Sequence, residues 1–453
     1  MPVVLWLRRD LRRTDHPALL AATRATDDTV HPLFVIDPAL WHGAGAPRRG
    51  WVAASVRAAA EAYDGRLSIR FGDPADVVPR FVTEHGATAV HVTGESTPYG
   101  RARDARVAES LDVAGTAWVQ SGTPYAVDPG TVRNRAGDPY QVFSAFARAW
   151  RDQGSPGPAP APERLELAPA DSDGRVAAML DKAERKAGVP LPDAGERAAL
   201  ARWHRFLDDA LDDYDEHRDR PDLAGTSQLS PWLKVGAIHP RTLLADLAAH
   251  RSDSARRFRD ELAWREFYAD VLRHRPDSAW ADLRRELATL RYDESGEAFD
   301  AWRAGRTGFP IVDAGMRQLA ESGWMHNRVR MITASFWTKD LHAWWPPAAR
   351  HFLDHLLDGD LASNSHGWQW VAGTGTDAAP YFRVFNPVTQ GKRFDPDGAY
   401  VRRWVPELRH LGGAAAHEPW RHDDGHAHGY PARLVDHDEE RKEALARYRA
   451  ARR

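Results

Sequence analysis

The chain has 453 residues, 43% hydrophobic and 28% charged, with a formal net charge of −3, and this length allows two or three domains. The absence of cysteine excludes disulfides, thiolate metal sites and cysteine nucleophiles. There is no apolar run of membrane-spanning length and no signal-peptide core at the N-terminus, while nucleic-acid binding stays open because it depends on local patches of charge.

The first 130 residues predict an α/β domain. Short apolar runs alternate with Ala-rich amphipathic stretches, the pattern of a parallel sheet with crossover helices. The predicted strands are Val3–Leu7, Leu33–Ile36, Leu67–Phe71, Ala89–Val92 and Ala117–Val119. No Gly-x-Gly-x-x-Gly motif follows the first strand, which argues against a conventional dinucleotide site in this domain.

Residues 131–195 predict an interdomain linker, and residues 196–453 predict a helical domain. The linker contains the Pro-rich run Ser155–Pro162, which has polyproline character. Beyond it, helical periodicity dominates at Glu196–Tyr214, Arg241–His250, Arg256–His274, Ile311–Glu321, Asn327–Trp345 and Ala348–Leu357. We expect Pro346 and Pro347 to end one of these helices.

One face of the helix predicted at Arg256–His274 combines an acid, an indole, a guanidinium and a phenol. It comprises Glu261, Trp264, Arg265 and Tyr268. Such a face is either an exposed, salt-bridged surface or a binding surface for a planar polar ligand. A core stripe already runs along the opposite face, through Leu262, Phe267 and Val271, and this favours the binding surface.

The segment Asp358–Trp370 places two carboxylates, an amide and two indoles in what reads as a loop rich in Gly and Ser. This combination predicts a polar ligand beside aromatic rings, and a flavin fits. Carboxylates can accept from ribose hydroxyls and amines, an amide can face the ring nitrogen, and indoles can pass electrons. Upstream, the hydroxyls and backbone N–H groups of Gly225–Pro231 either hold phosphate or only cap a helix.

Basic residues interleave with Trp and Phe through the C-terminal half, a pattern suited to phosphate positioning with base stacking. They are Arg328, Arg330, Lys339, Arg383, Lys392, Arg393, Arg402 and Arg403. The spacing of the His and Asp residues in His422–His428 resembles that of a metal site, but the Gly-rich polar context favours a flexible loop. We therefore assign no metal.

Four long motifs, in order, carry a resemblance to a known family. They are Trp324–Phe336, Asp358–Trp370, Thr374–Arg383 and Phe385–Gly391. Together they resemble the DNA photolyase/cryptochrome family, and most closely its class I cyclobutane pyrimidine dimer (CPD) photolyases. The resemblance extends from Trp6–Arg12 to about Trp420.

The resemblance implies a Rossmann-like α/β antenna domain, a connector and an all-α domain that binds flavin-adenine dinucleotide (FAD). The residues that match the family's FAD contacts are Tyr214, Thr226, Ser227, Gln228, Leu229, Ser230, Phe258, Glu261, Arg265, Asn327, Arg330, Asp358, Asp360 and Asn364. Phe258 stands where many relatives have Trp. Asn364 is the residue expected opposite the reactive ring nitrogen.

The activity implied is the light-dependent repair of CPDs in ultraviolet-damaged DNA, a carbon–carbon lyase reaction driven by electron transfer from reduced FAD. The catalytic residues are then Glu261, Trp264, Met331, Asn364 and Trp370, which include the pocket for the flipped-out lesion. The residues expected to hold DNA are Arg218, Arg328 and Arg383, together with Trp264 and Trp370.

An antenna pigment is implied as well. Pro98–Asp104 resembles deazaflavin-binding relatives and lacks the Asn–Glu pair of folate sites, so 8-hydroxy-5-deazaflavin is expected, with methenyltetrahydrofolate as the alternative. The matching contacts are Phe34, Asp37, Arg49, Glu95 and Lys234. Lys234 lies beyond the linker, which predicts a pigment between the domains.

Electrons that recharge the flavin are expected to pass through Trp368, Trp345 and Tyr292. Relatives have a third Trp at the outer position, where this chain has Tyr292. Either Tyr292 is the terminal donor, or an additional indole such as Trp337 or Trp344 serves instead.

Three other functions stay open: a cryptochrome-type blue-light photoreceptor, a (6-4) photolyase and a dark FAD-binding DNA protein. Asn364 and the short segment after Trp420 argue against a photoreceptor, and His326–Asn327 replaces the paired His of (6-4) enzymes. We expect a monomer in the bacterial cytoplasm, nucleoid-associated when it binds damaged DNA, with no membrane and no obligate protein partner.

Overall fold

The computed structural model describes residues 1–294, 296–376 and 382–452. Five strands form one sheet: β1 (Val3–Leu7), β2 (Val30–Ile36), β3 (Ser68–Phe71), β4 (Ala89–Val92) and β5 (Ala117–Gln120). The strand order is β3-β2-β1-β4-β5, and every neighbouring pair is parallel. The predicted α/β fold of the N-terminal domain is confirmed.

Helices cover both faces of this sheet, which explains why its strands are almost continuously apolar. The helices are α1 (Pro17–Arg24), α2 (Pro38–His42), α3 (Ala46–Ala62), α4 (Pro74–His85) and α5 (Pro98–Val113). Alternate residues of β1 point to opposite faces. Leu5 packs in the same core as Leu19 and Trp51 of α1 and α3, whereas Trp6 packs in the core that contains Phe81 of α4 and Val107 of α5.

The segment after β5 contains α6 (Phe143–Gln153) and α7 (Gly174–Arg185), separated by the Pro-rich run without regular structure. This segment packs on the sheet domain. Val30 of β2 accepts from Ala168 and donates to Glu166, and α7 packs on α3. The linker therefore lies against the sheet domain, while the boundaries at residues 130 and 195 stay predictions.

The rest of the described chain is helical, as predicted. Its helices are α8 (Glu196–Asp209), α9 (Tyr214–His217), α10 (Ser230–Val235), α11 (Pro240–Leu247), α12 (Asp253–His274), α13 (Gly296–Arg303), α14 (Pro310–Ser322), α15 (Asn327–Ser335), α16 (Trp345–His355), α17 (Leu361–Ala372), α18 (Pro387–Phe394), α19 (Ala399–Trp404) and α20 (His437–Ala451). Short 3₁₀ turns lie at Pro276–Ala279, Arg285–Leu287, Pro406–Leu408, Gly413–His417 and Pro419–Arg421.

The helix predicted at Asn327–Trp345 is wrong in its second half. It ends at Ser335, continues as the π-helical turn Phe336–Asp340, and then breaks. Pro346 and Pro347 do not end a helix but lie in the first turn of α16. Proline is tolerated there because the first N–H groups of a helix have no partner within it.

The segment Asp358–Trp370 is not the loop that its Gly and Ser content indicated. Helix α17 begins at Leu361, and the carboxylate of Asp360 caps it by accepting from the backbone N–H of Ser363 at 3.1 Å. Asp360, Asn364 and Trp368 are four residues apart and so share one face of this helical segment. The capped helix, rather than a flexible loop, fixes these polar side chains.

Candidate active site

A cavity of about 490 Å³ lies among α10, α12, α15 and α17. Every residue expected to bind FAD lines it: Tyr214, Thr226, Ser227, Gln228, Leu229, Ser230, Phe258, Glu261, Arg265, Asn327, Arg330, Asp358, Asp360 and Asn364. The remaining residues expected to act on the lesion also line it, namely Trp264, Met331 and Trp370. The fold thus brings together side chains that the sequence scatters over most of the helical domain.

Helix α12 supplies the wall that its periodicity predicted. Glu261, Trp264, Arg265 and Tyr268 all line the cavity, and Phe267 on the other side of the helix is fully buried. The guanidinium of Arg265 donates to the backbone oxygen of Pro124 at 3.0 Å and lies 4.4 Å from the centroid of the Tyr125 ring. These contacts fix Arg265 against the segment that follows β5.

A buried carboxylate oxygen in this cavity has no partner. Arg330 donates to Oδ2 of Asp358 at 2.8 Å, but Oδ1 is buried and accepts no hydrogen bond from the described residues. A buried acceptor of this kind is costly unless a donor reaches it. The cavity therefore fits a ligand that brings hydrogen-bond donors, as the hydroxyl and N–H groups of FAD do.

The second carboxylate of the cavity belongs to a network of charges that reaches the sheet domain. Oδ2 of Asp360 lies 3.2 Å from Arg9 and 3.4 Å from Lys234, and Arg9 lies 3.4 Å from Glu95. Burial lowers the pKa of Lys234 to about 8 against the attraction of Asp360. Burial opposes ionisation of Asp360, but Lys234 and Arg9 hold the pKa of Asp360 well below its usual range.

This network links two predicted sites. Glu95 and Lys234 are expected antenna contacts, whereas Asp360 is an expected FAD contact, and the structure places Lys234 in the same cavity as the FAD residues. Arg9, which follows β1, connects them and was missed by the sequence analysis. Its sequence signals are its place in the Trp6–Arg12 segment and its position at the carboxyl end of a central parallel strand, where α/β sheets bind ligands.

The other expected antenna residues lie near the same edge of the sheet. Asp37 caps α2 by accepting from the N–H of Ala39 at 3.0 Å and accepts from the hydroxyl of Tyr99 at 2.6 Å. Arg49 donates to the backbone oxygen of Ala44 at 2.7 Å, and Phe34 is buried in β2. Their joint use by one pigment stays a prediction.

Among the residues expected to contact the lesion, Trp264 has an aromatic partner that sequence reasoning missed. Phe143, the first residue of α6, stacks on Trp264 with ring centroids 3.6 Å apart and planes 8° apart. One face of the indole is therefore covered and only the other is left for a base. The signal was present in the sequence, because Tyr140 lies just before an amphipathic helix and Phe143 begins it.

Two of the three arginines expected to hold DNA form ion pairs with carboxylates. Arg218 donates to Glu261 at 2.5 Å, and Arg328 donates to Asp219 at 2.7 Å. Arg383 does not line the cavity, but its guanidinium lies 5.8 Å from the centroid of the Trp370 ring. Part of its motif, residues 377–381, lies outside the described residues.

The three residues of the expected electron relay differ in environment. Trp368 lines the cavity and is buried, and Trp345 is fully buried with its ring N–H donating to Asp282 at 2.7 Å. Tyr292 is half-buried, and its buried hydroxyl has no hydrogen-bond partner among the described residues. Burial and the charge of Asp282 raise the pKa of Tyr292 well above its usual value.

His326 lies beside the cavity in an uncharged state. Its ring accepts from the backbone N–H of Arg328 at 3.2 Å and so caps α15, and burial lowers the pKa of His326 to about 4.

Within the described ranges, no group of three or more His, Cys, Asp or Glu side chains is arranged to hold a metal. No helix in that same part of the chain is both long and apolar enough to cross a membrane.

Comparison with known proteins agrees with this geometry. Residues 3–165 match the DNA photolyase family, and residues 258–450 match the FAD binding domain of DNA photolyase. A deoxyribodipyrimidine photo-lyase of Synechococcus sp. is 39% identical over 99% of this chain and 96% of the relative. The chain belongs to the DNA photolyase family. It is an enzyme of the photo-lyase type with a parallel-sheet domain and a helical FAD-binding domain.

Solved structures of this photolyase family share the whole fold. A class III photolyase from Agrobacterium tumefaciens superimposes with a TM-score of 0.90 at 36% identity, covering 99% of this chain and 97% of that one. A Synechocystis sp. cryptochrome superimposes with a TM-score of 0.85 at 27% identity, covering 99% of each chain. Because a class III photolyase and a cryptochrome both have this fold, the fold alone does not separate their functions.

Proposed function

We propose that this photolyase repairs CPDs in ultraviolet-damaged DNA under blue light, with FAD held in the cavity. The observation that carries the proposal is that one cavity joins the expected FAD contacts to an apolar pocket lined by Trp264, Met331 and Trp370. When bound, FAD supplies the light-driven electron that splits the dimer and then returns, so the reaction has no net redox change.

The cavity residues would hold the cofactor with complementary groups. The hydroxyls of Thr226, Ser227 and Ser230 suit its phosphate side, and the unpartnered Oδ1 of Asp358 suits a donor. Asn364 donates through Nδ2 to the backbone oxygen of Ala349 at 3.0 Å, which orients the amide and leaves Oδ1 for the ligand.

The lesion would enter between aromatic walls. A flipped-out dimer loses stacking in the duplex, and damage lowers that cost. The uncovered face of Trp264, which Phe143 supports from behind, replaces part of the stacking, as does Trp370. Glu261, positioned by Arg218, can hydrogen-bond the base edge and place an oriented group where charge develops.

The DNA backbone would be held by arginines that are already oriented. The pairing of Arg218 with Glu261 and of Arg328 with Asp219 fixes both guanidiniums before DNA arrives. Arg383 is exposed beside Trp370, so a phosphate next to the lesion can reach it. The net charge of −3 is thus compatible with DNA binding through a local basic rim.

The finer assignments are also part of the proposal. They are membership of class I, 8-hydroxy-5-deazaflavin as the antenna with methenyltetrahydrofolate as the alternative, and a monomer in the bacterial cytoplasm without an obligate partner. Phe34, Asp37, Arg49, Glu95 and Lys234 would bind the antenna near the sheet edge. Reconstitution with each pigment tests this assignment: a new violet–blue absorption band with a folate but not with a deazaflavin contradicts it.

Repair itself is tested with two lesions and two light conditions. Chemically reduced, FAD-loaded protein is incubated with DNA containing CPDs or (6-4) photoproducts, in blue light and in darkness. We expect CPDs alone to be restored, and only in light. Restoration of (6-4) photoproducts supports that alternative. A light response of the bound flavin without any repair supports the photoreceptor alternative.

A further inference from the structure

The outer end of the electron relay is not where the sequence placed it. This inference rests on the proposed binding of FAD in the cavity, because Trp368 lines that cavity and Trp345 is the next expected relay residue. Trp345 is fully buried, and its ring N–H donates to the carboxylate of Asp282 at 2.7 Å. The negative charge of that carboxylate stabilises a positive charge on the Trp345 indole. When the relay loses an electron, the oxidised form of Trp345 is therefore favoured.

Tyr292 is poorly suited to extend the relay further. A phenol oxidised at neutral pH must release its proton, since its reference pKa is about 10 and its oxidised form is far more acidic. The hydroxyl oxygen of Tyr292 is buried and has no hydrogen-bond partner among the described residues. No described group lies within hydrogen-bonding distance to take the proton, and burial and the charge of Asp282 both favour the protonated phenol.

Trp280 stands in a better position. Its ring is parallel to that of Trp345, with centroids 6.5 Å apart and planes 7° apart. Trp280 is only half-buried, so water can hydrate a charge on it and accept its ring proton. It lies directly after the turn Pro276–Ala279 and two residues before Asp282, so the same short segment supplies both Trp280 and the carboxylate on Trp345.

The guanidinium of Arg350 completes this outer site. Its central carbon lies 4.2 Å from the centroid of the Trp280 ring, and Arg350 itself is exposed. A positive charge over the ring disfavours the oxidised, protonated indole relative to the neutral radical that remains after proton loss. Because the arginine is solvated, it opposes the arrival of the positive charge only weakly.

A second chain of indoles leaves Trp368 in another direction. Trp302 lies 6.1 Å from Trp368, and Trp337 lies 5.2 Å from Trp302, measured between ring centroids. Both are fully buried, and their ring N–H groups donate to backbone oxygens. Neither faces a carboxylate through its ring N–H, as Trp345 does, so a positive charge is less favoured on this branch.

We propose that Trp280 is the outer electron donor, which passes an electron to oxidised Trp345 and from there to Trp368. One electron leaves Trp280 for each one-electron photoreduction of the bound FAD, and the Trp280 ring proton goes to water. A soluble thiol then returns one electron and, with a proton from water, restores the indole. Tyr292 is a packing residue in this scheme.

Transient absorption and electron paramagnetic resonance after a blue flash test the proposal in the full-length, FAD-loaded protein. We expect the long-lived neutral tryptophanyl radical of the wild type to be lost in Trp280→Phe and retained in Tyr292→Phe. Trp344→Phe is the matched control, since Trp344 is also an accessible indole, 41% exposed, but has no ring contact with Trp345 among the described residues. A tyrosyl signal that disappears in Tyr292→Phe overturns the proposal, and so does loss of the tryptophanyl radical in Trp337→Phe or Trp344→Phe.

A second variant and a chemical readout cover the case in which Trp280→Phe folds poorly. Arg350→Gln keeps the indole and should slow the loss of the Trp280 ring proton, and an unchanged rate contradicts the role of Arg350. Prolonged illumination in oxygen, followed by peptide mass mapping, should show oxidation at Trp280 that exceeds oxidation at Trp344. Flavin-free protein treated in the same way should show no such excess, and oxidation concentrated at Tyr292 would overturn the assignment.

The inference can fail separately from the proposed function. Trp280→Phe that has been reduced chemically should repair CPDs as the wild type does, since the relay is then not needed. If the wild type forms the Trp280 radical but repairs no dimer, the proposed repair function is wrong and the relay assignment stands. If repair proceeds and the radical is independent of Trp280, the relay assignment alone is wrong.

Discussion

At the scale of single residues, the pocket proposed to receive the lesion depends on a stacked pair of rings. Trp264 offers one face to the cavity, and Phe143 covers its other face at 3.6 Å. A close, parallel contact of this kind restricts the indole to one orientation, so less freedom is lost when a base stacks on it. The position of Trp264 is therefore set by a helix of the linker as well as by its own helix.

Removing either ring should weaken recognition of damage. We expect Trp264→Ala to reduce the affinity for CPD-containing DNA by roughly 1–3 kcal/mol, the contribution of one base–aromatic stack. Phe143→Ala should cause a smaller loss, because the indole stays but is less restricted. Fluorescence anisotropy with damaged and undamaged duplexes measures both changes. Trp344→Ala is the control, and an equal loss for undamaged DNA would show that the indole only supports the fold.

At the scale of elements, α12 is the central support of the site. One side of it lines the cavity, and on the other side the carboxylate of Glu266 holds two neighbouring segments. It accepts from the backbone N–H groups of Ala126 at 2.6 Å and Val127 at 3.0 Å, and from the ring N–H of Trp150 at 2.6 Å. This buried carboxylate joins α12 to the segment after β5 and to α6, which carries Phe143.

The stability of this junction should depend on pH. Burial raises the pKa of Glu266 from its ordinary 4.5 to about 7, although three N–H donors oppose the shift. The folded state therefore binds the Glu266 proton more tightly than the unfolded chain does. The contribution of this protonated side chain to the free energy of unfolding is fully present below pH 4.5 and is lost as pH rises through about 7. The full loss is roughly 3 kcal/mol, from the size of the pKa shift.

Glu266→Gln provides the comparison. The NH2 group of the amide only donates, whereas the hydroxyl oxygen of the protonated Glu266 can still accept a hydrogen bond. At low pH the variant should therefore be less stable than the wild type by about 1–3 kcal/mol, the effect of one unsatisfied buried donor. The free energy of unfolding of the variant should not share the decline of the wild type between pH 4.5 and pH 7. Urea unfolding across this range measures the difference, and parallel pH profiles contradict the assignment to Glu266.

At the scale of the whole molecule, ion pairs join the sheet domain to the cavity proposed to hold FAD. Arg9 contacts Asp360 from the end of β1, and Asp360 also contacts Lys234. We expect Arg9→Gln to weaken FAD binding by about 1–3 kcal/mol, which is the free energy lost when a hydrogen bond to a charged group is removed. Equilibrium dialysis with FAD measures the change. Arg8→Gln is the neighbouring control, since Arg8 pairs with Asp104 inside the sheet domain at 2.8 Å.

Binding of DNA should depend on salt despite the negative total charge. If Arg383 contacts one phosphate, Arg383→Ala should reduce the slope of log affinity against log salt concentration by about one. Titrations at several salt concentrations, with the same damaged duplex, give the slope. An unchanged slope would remove Arg383 from the DNA interface.

The sequence by itself determined the fold class and most of the residues that line the cavity. The apolar strands of the sheet and the shared face of α12 follow from periodicities within a few residues, which are local properties of the chain. The long motifs around Trp324 and Asp358 were sufficient to indicate the family, whereas membership of class I and the deazaflavin antenna stay predictions.

Only the tertiary structure decided which distant groups meet. The stacking of Phe143 on Trp264, the contact of Arg9 with Asp360 and the parallel rings of Trp280 and Trp345 join residues that no local pattern relates. The same is true of Pro346 and Pro347, whose ability to begin a helix rather than end one depends on the path of the chain before them. These contacts depend on how helices pack around one cavity, and packing is fixed by the whole chain rather than by any segment of it.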